Sequence, residues 1–204
     1  MRAFRLLSFL FALVLAAPWG SAGAEAALAP GEAVALLRRG GLILYFRHTA
    51  TDFSQNDANM KSFEDCASQR NLTDRGRADA RTIGTAIRAL AIPVGKVRAS
   101  PFCRTVETAE LAFGRAEKTV EVRGGSARAD DPARYAQLRK LLSQPPARGT
   151  NDVIVSHGNP FHAVAGPPYL AEGEAAVVQP DASGKNAEFR VIARIRVEEW
   201  PAPR

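Results

Sequence analysis

Apolar and polar positions along this chain fall into blocks with two different periods. "GLILYF" (41–46) is an unbroken apolar run of strand length, and "DVIVS" (152–156) is a second one. Runs of this kind mark strands covered on both faces. "VGKVRAS" (94–100) and "KTVEV" (118–122) are shorter strand candidates. Between them the period becomes helical. Thr73 and Asp74 open a helix with apolar residues at Ala80, Ile83, Ile87 and Leu90. Ser100 as cap, Pro101 in the first turn and Gly114 as the stop bracket a second helix over "FCRTVETAELAF". Asp131-Pro132 starts a third, with Tyr135, Leu138 and Leu142 on one face, ending before Pro145-Pro146. Asn159 and Pro160 begin a short one that Gly166-Pro167-Pro168 ends. "AAVVQP" and "FRVIARIRV" flank the turn-rich "DASGKN" (181–186) as a hairpin.

Strands that alternate with helices predict an α/β fold. The expectation is three α/β/α layers around a mostly parallel central sheet, with the C-terminal hairpin as its antiparallel edge. No repeat or long linker divides residues 25–204, so they read as one domain. Residues 49–71 stand apart as a long polar loop, a length that is uncommon unless the loop has a function.

The first 24 residues carry Arg2 and Arg5, an apolar run from Leu6 to Ala17, and the small-residue pattern Ala22-Gly23-Ala24. That is the layout of a signal peptide, with an apolar run too short to span a bilayer. Export to a periplasmic or extracellular space is therefore expected, with no stable membrane span once the signal is removed; a retained anchor is the alternative. Cleavage removes two arginines and no acid, lowering the formal charge from +6 to +4. The remaining charges form no basic block, so nucleic acid is not an expected partner, whereas a small anion is. In an oxidising compartment the two cysteines, Cys66 and Cys103, are candidates for a disulfide, with two buried free thiols as the alternative. Asn71-Leu72-Thr73 has the form of a glycosylation acceptor, and reads more simply as a turn leading into a helix cap.

Three strand–helix junctions each deliver basic residues: Arg47-His48, Arg104 and His157. Reactive groups of open α/β sheets gather at such junctions. Two arginine forks match the oxygens of a phosphoryl group, and a neutral histidine beside them is a nucleophile for phosphorus. A metal site made of His48, His157 and His162 lacks any ligand-spaced motif, and His162 falls off the helical face of His157.

"YFRHTATDFSQN", "NLTDRGRADARTIG", "SPFCRTVETAE" and "VIVSHGN" occur in that order. Together they resemble the histidine phosphatase superfamily, the phosphoglycerate-mutase-like fold. The resemblance implies a metal-independent, cofactor-free phosphoric monoester hydrolase. It makes His48 the phosphorylated nucleophile, Arg47 and Arg104 phosphate ligands, and His157 the second histidine of the phosphate pocket. Leu72, Thr73 and Gly76 match the family's structural "LT..G". Thr49 stands where the family usually has glycine, and offers its hydroxyl as a further phosphate ligand. The proton donor falls to Asp130 or Asp131, with Glu172 and Glu174 as weaker choices. The expected activity is an exported phosphomonoesterase acting on a small phosphorylated substrate, such as an envelope sugar phosphate. A non-catalytic phosphate-ester binding protein on the same fold is its rival.

Overall fold

The computed structural model describes residues 27–123, 131–181 and 188–202. The expected signal peptide (1–24), Asp130 and most of the turn at 181–186 lie outside the described residues.

One six-stranded sheet forms the centre. Its strands are β1 (Ile43–Arg47), β2 (Val94–Ala99), β3 (Glu117–Lys118), β4 (Asn151–Ser156), β5 (Ala175–Pro180) and β6 (Phe189–Ile195). They lie in the order β3-β2-β4-β1-β5-β6. The first four run parallel, and β5 and β6 add antiparallel pairs at one edge. The expected three-layer α/β arrangement is the observed one. Helices α1 (Pro30–Leu37), α2 (Asp74–Ala89) and α3 (Cys103–Phe113) cover one face, while α4 (Ala136–Ser143) and α5 (Gly158–Ala165) cover the other.

Strand β1 explains its own apolar run. Leu44 and Phe46 enter the core under α1, α2 and α3 with Ile83, Val106 and Val155. Ile43 and Tyr45 enter the opposite core with Leu138, Phe161 and Val178. Both faces are dry, so the strand shows no polar alternation. On α2, Ala80, Ile83 and Ile87 are buried as the periodicity predicts, and Thr73 caps the helix by accepting from Gly76 N at 3.0 Å.

Four local expectations change. The expected strand at 118–122 is cut to Glu117–Lys118, because the chain turns into a 3-10 segment (Val120–Arg123) that buries Val122. Ser156 Oγ donates to Val122 O at 2.8 Å and fixes that turn. Ser100 is not a cap: α3 starts at Cys103 after Phe102, and the Ser100 hydroxyl is engaged with His157. His157 rather than Asn159 precedes α5, and Asn159 accepts from the Tyr169 hydroxyl at 2.7 Å. Asp131-Pro132 opens a 3-10 turn before α4. Helix α1 is an addition to the predicted elements, with Ala33, Val34 and Leu37 buried and Ala29 N donating to Glu32 Oε2. Among the described residues, no helix is long and apolar enough to cross a membrane.

Candidate active site

The parallel pairing brings three strand ends side by side. Arg47 is level with Ser156 across the β1–β4 ladder, and Ala99 is level with Val155 across β2–β4. Beyond these ends, His48 N donates to Ser156 O at 2.9 Å and Ser100 N to Val155 O at 2.9 Å. A cleft of about 400 Å³ opens there. Arg47, His48, Arg104 and His157 all line it, so three segments distant in sequence meet in one cleft.

His48 is 1% exposed, and its Nδ1 lies 2.9 Å from Thr49 O. A carbonyl only accepts, so Nδ1 carries the hydrogen and Nε2 carries the lone pair. Burial pushes the His48 pKa down to about 3; the Thr49 carbonyl opposes this, and Arg104, Arg47 and Arg70 reinforce it. His157 is held well below its ordinary value, first by burial and then by His48, Arg104, Arg123 and Arg70. The two rings stand edge to face at 5.6 Å. Ser100 Oγ anchors His157 Nε2 at 2.8 Å, which leaves Nδ1 for a ligand. Tyr45 OH donates to His157 O at 2.8 Å and fixes the backbone from beneath.

Arg104 is nearly buried and grips Asp57 with both Nη atoms, at 3.0 and 3.1 Å. Burial alone would raise the Asp57 pKa. The Arg104 fork and the Arg70 N–H outweigh it and hold the carboxyl below its usual range. Arg47 donates to Leu170 O at 2.9 Å and to Glu172 Oε1 at 3.4 Å.

The remaining predicted residues lie elsewhere. Thr49 is fully buried and outside the cleft lining, its hydroxyl 3.2 Å from Thr108 Oγ1; only its backbone carbonyl serves the site, through His48. Asp131 is exposed and caps the turn at Ala133 N. Glu172 sits behind the cleft on Thr51 and Arg47, and Glu174 bonds Ala171 N beside Arg194. His162 is an exposed residue of α5. Cys66 and Cys103 form a disulfide that ties the long loop to the start of α3.

Sequence reasoning missed Asp57, Arg70, Arg123 and Arg134, all in the cleft wall. The available signal was the loop itself, whose length and polarity mark it as functional without saying which residue turns inward. Among the described residues, no three His, Cys, Asp or Glu side chains gather as metal ligands.

The family model of the histidine phosphatase superfamily (branch 1) matches residues 43–127, which include His48 and Arg104. Solved structures agree in fold. The protein histidine phosphatase SixA, complexed with tungstate, is 15% identical with a TM-score of 0.56, over 78% of this chain and 99% of its own. Over residues 43–127, then, the chain is similar to the histidine phosphatase superfamily. A phosphoserine phosphatase mutant from Entamoeba histolytica, in complex with phosphoserine, is 12% identical with a TM-score of 0.51, over 78% of this chain and 98% of its own. A mycobacterial hydrolase is 15% identical with a TM-score of 0.51, over 74% of this chain and 95% of its own. At these identities the likeness to solved structures is one of fold. No curated protein sequence matches the chain.

Proposed function

We propose that the chain is an exported, metal-independent phosphomonoesterase that works through a phosphohistidine on His48. One observation carries this reading: His48 is a neutral imidazole whose Nδ1–H is fixed on Thr49 O, so its Nε2 lone pair serves a cleft lined by arginines. A protonated histidine cannot attack phosphorus; burial and the arginine field keep this one deprotonated.

The phosphoryl oxygens seat on Arg47 and Arg104, with His157 Nδ1 at the third side. His48 Nε2 attacks phosphorus, an N–P bond forms, and the P–O bond to the leaving group breaks. The leaving oxygen takes a proton. Water then attacks phosphorus, the N–P bond breaks, and inorganic phosphate leaves as His48 regains its lone pair. Asp57 is the one carboxyl among the described lining residues and is the proton donor in this scheme. It is ionised while Arg104 holds it. Once a phosphoryl dianion takes over that fork, Asp57 loses its partner and faces a like charge, and both changes raise its pKa.

His48→Ala is expected to lower hydrolysis of 4-nitrophenyl phosphate by at least about a thousandfold, with an unchanged circular dichroism spectrum. Brief reaction of the unaltered protein with radiolabelled substrate should leave an acid-labile phosphohistidine at His48. Turnover retained in the variant overturns the mechanism. Phosphate binding with neither label nor turnover in the unaltered protein favours a non-catalytic binder.

A further inference from the structure

The cleft holds more positive charge than a phosphomonoester uses. Its described lining includes five arginines, Arg47, Arg70, Arg104, Arg123 and Arg134, against one carboxylate, Asp57. Both histidines are neutral. Asp57, Glu172 behind Arg47 and a phosphoryl dianion together offset four of those charges, and Arg123 has no carboxylate partner among the described residues.

The surplus lies to one side of the reacting end. Phe102 is the divider: Arg104 Cζ stands 4.5 Å from its ring centre, and the His157 ring meets it edge to face at 5.1 Å. Arg123 stands 5.7 Å from the same ring and 5.3 Å from Phe63. Its guanidinium therefore stands against two aromatic rings at the cleft wall. Arg123 Nε and Arg70 Nε, like Arg104 Nε at the phosphoryl seat, are buried and have no hydrogen-bond partner among the described residues. A buried donor left unpaired costs stability, so it points to a ligand that completes it. Arg134 lines the cleft with Tyr135 and stands 5.5 Å from that ring. The field of Arg123 and Arg70 already bears on His157.

We infer that the leaving group carries a second anion, phosphate or carboxylate, seated on Arg70, Arg123 and Arg134, so that the substrates are small phosphoesters with two anionic ends. This rests on the phosphatase reading above. The cleft volume suits a small molecule, within the range of roughly 300–1,000 Å³ usual for such sites. Tyr135 and Tyr169 also line the cleft. Arginine forks favour flat or tetrahedral oxyanions that accept two hydrogen bonds at once.

Three aryl phosphates share one leaving-group skeleton and test this: phenyl phosphate, 3-carboxyphenyl phosphate and 1,3-phenylene bisphosphate. Each is followed by phosphate release and by isothermal calorimetry with His48→Ala. The bisphosphate or the carboxyphenyl ester should exceed phenyl phosphate about tenfold to a hundredfold in kcat/KM. Whichever leads identifies the second anion. Arg123→Lys keeps the charge but loses the fork, and Arg134→Gln removes a charge at a less buried position. Each should cut that preference ratio at least about fivefold. A ratio near one in the unaltered protein, with phenyl phosphate turned over, overturns the inference and leaves the phosphatase reading standing. No turnover of any ester, but tighter calorimetric binding of the two-anion compounds that weakens in both variants, overturns the phosphatase reading and keeps the second-anion seat. Equal binding of all three esters overturns the seat in either case.

Discussion

At rest Arg104 gives both Nη atoms to Asp57, while its buried Nε has no partner among the described residues. In the proposed mechanism a phosphoryl group takes the Nη fork from the carboxylate, so that Asp57 opposes binding and, once displaced, serves as the acid. Asp57→Asn separates the two effects. The KM for 4-nitrophenyl phosphate should fall several-fold, because an amide holds the Arg104 fork less tightly. The kcat for an alkyl phosphate, whose leaving oxygen needs a proton, should drop about a hundredfold. The kcat for 4-nitrophenyl phosphate should change little, since nitrophenolate leaves without one. Equal losses of kcat on both esters would remove Asp57 from the acid role. Arg47, His48, Arg104 and His157 were legible in sequence because each follows an apolar strand whose end is easy to place. Asp57, Arg70 and Arg123 were not, because their arrival depends on loop bonds such as Arg70 N to Asp57 Oδ1 that leave no periodic trace. Thr49 shows the opposite failure: its place beside His48 suggested a ligand, while the strand's exit turns its side chain inward to Thr108.

At the scale of elements, the site depends on how closely α2 and the long loop approach the end of β1. Gly76 lies in the first turn of α2, where an added Cβ would stand 2.1 Å from Ala50 O. Thr73 N donates to that same carbonyl at 3.0 Å, two residues past His48. Gly76→Ala should therefore destabilise the fold by about 1–3 kcal/mol and lower kcat/KM, read by urea unfolding and by turnover. Gly31→Ala in α1, where the Cβ meets nothing within 4 Å, is the control and should be neutral or slightly stabilising. The disulfide acts on the other end of the loop. Cys66 and Cys103 are 37 residues apart, so the bond restricts the unfolded chain by about 4 kcal/mol in the chain-entropy view. It also holds Asp57 and Arg70 near Arg104. The Cys66→Ser, Cys103→Ser double variant should lose stability of that order and bind phosphate with altered affinity; unchanged unfolding would deny the bond a structural role. Helix boundaries proved harder to foresee than helices, because Ser100 and Asn159 look like caps yet bond His157 and Tyr169 instead.

The whole molecule carries two buried imidazoles at the meeting point of its strands, and this makes stability depend on pH. The layer order and the parallel sheet were legible from alternating strand and helix periods. The strand order, which places β4 between β1 and β2 and so sets His157 between His48 and Arg104, was not, because adjacency in a sheet is a long-range property. That adjacency is what buries the histidines. Above their ordinary pKa of about 6.5 both are neutral whether folded or not, and the folded state loses nothing. As pH falls below that value, the unfolded chain takes up protons that the folded chain refuses, until the folded His48 pKa of about 3 is reached. Stability therefore falls with acidification, by about 2 kcal/mol between pH 7.5 and 5 for each histidine that stays neutral. Carboxylates add little in this window. Asp57, held below its usual range, contributes stability that is lost only at still lower pH. Urea unfolding at pH 7.5 and pH 5 in phosphate-free buffer measures the slope, since bound phosphate would add stability of its own. His48→Gln should remove about half of it, leaving the share of His157. An unchanged slope in that variant would mean that His48 takes up a proton in the folded protein, and a nucleophile that is cationic at pH 5 would return the phosphohistidine mechanism to question.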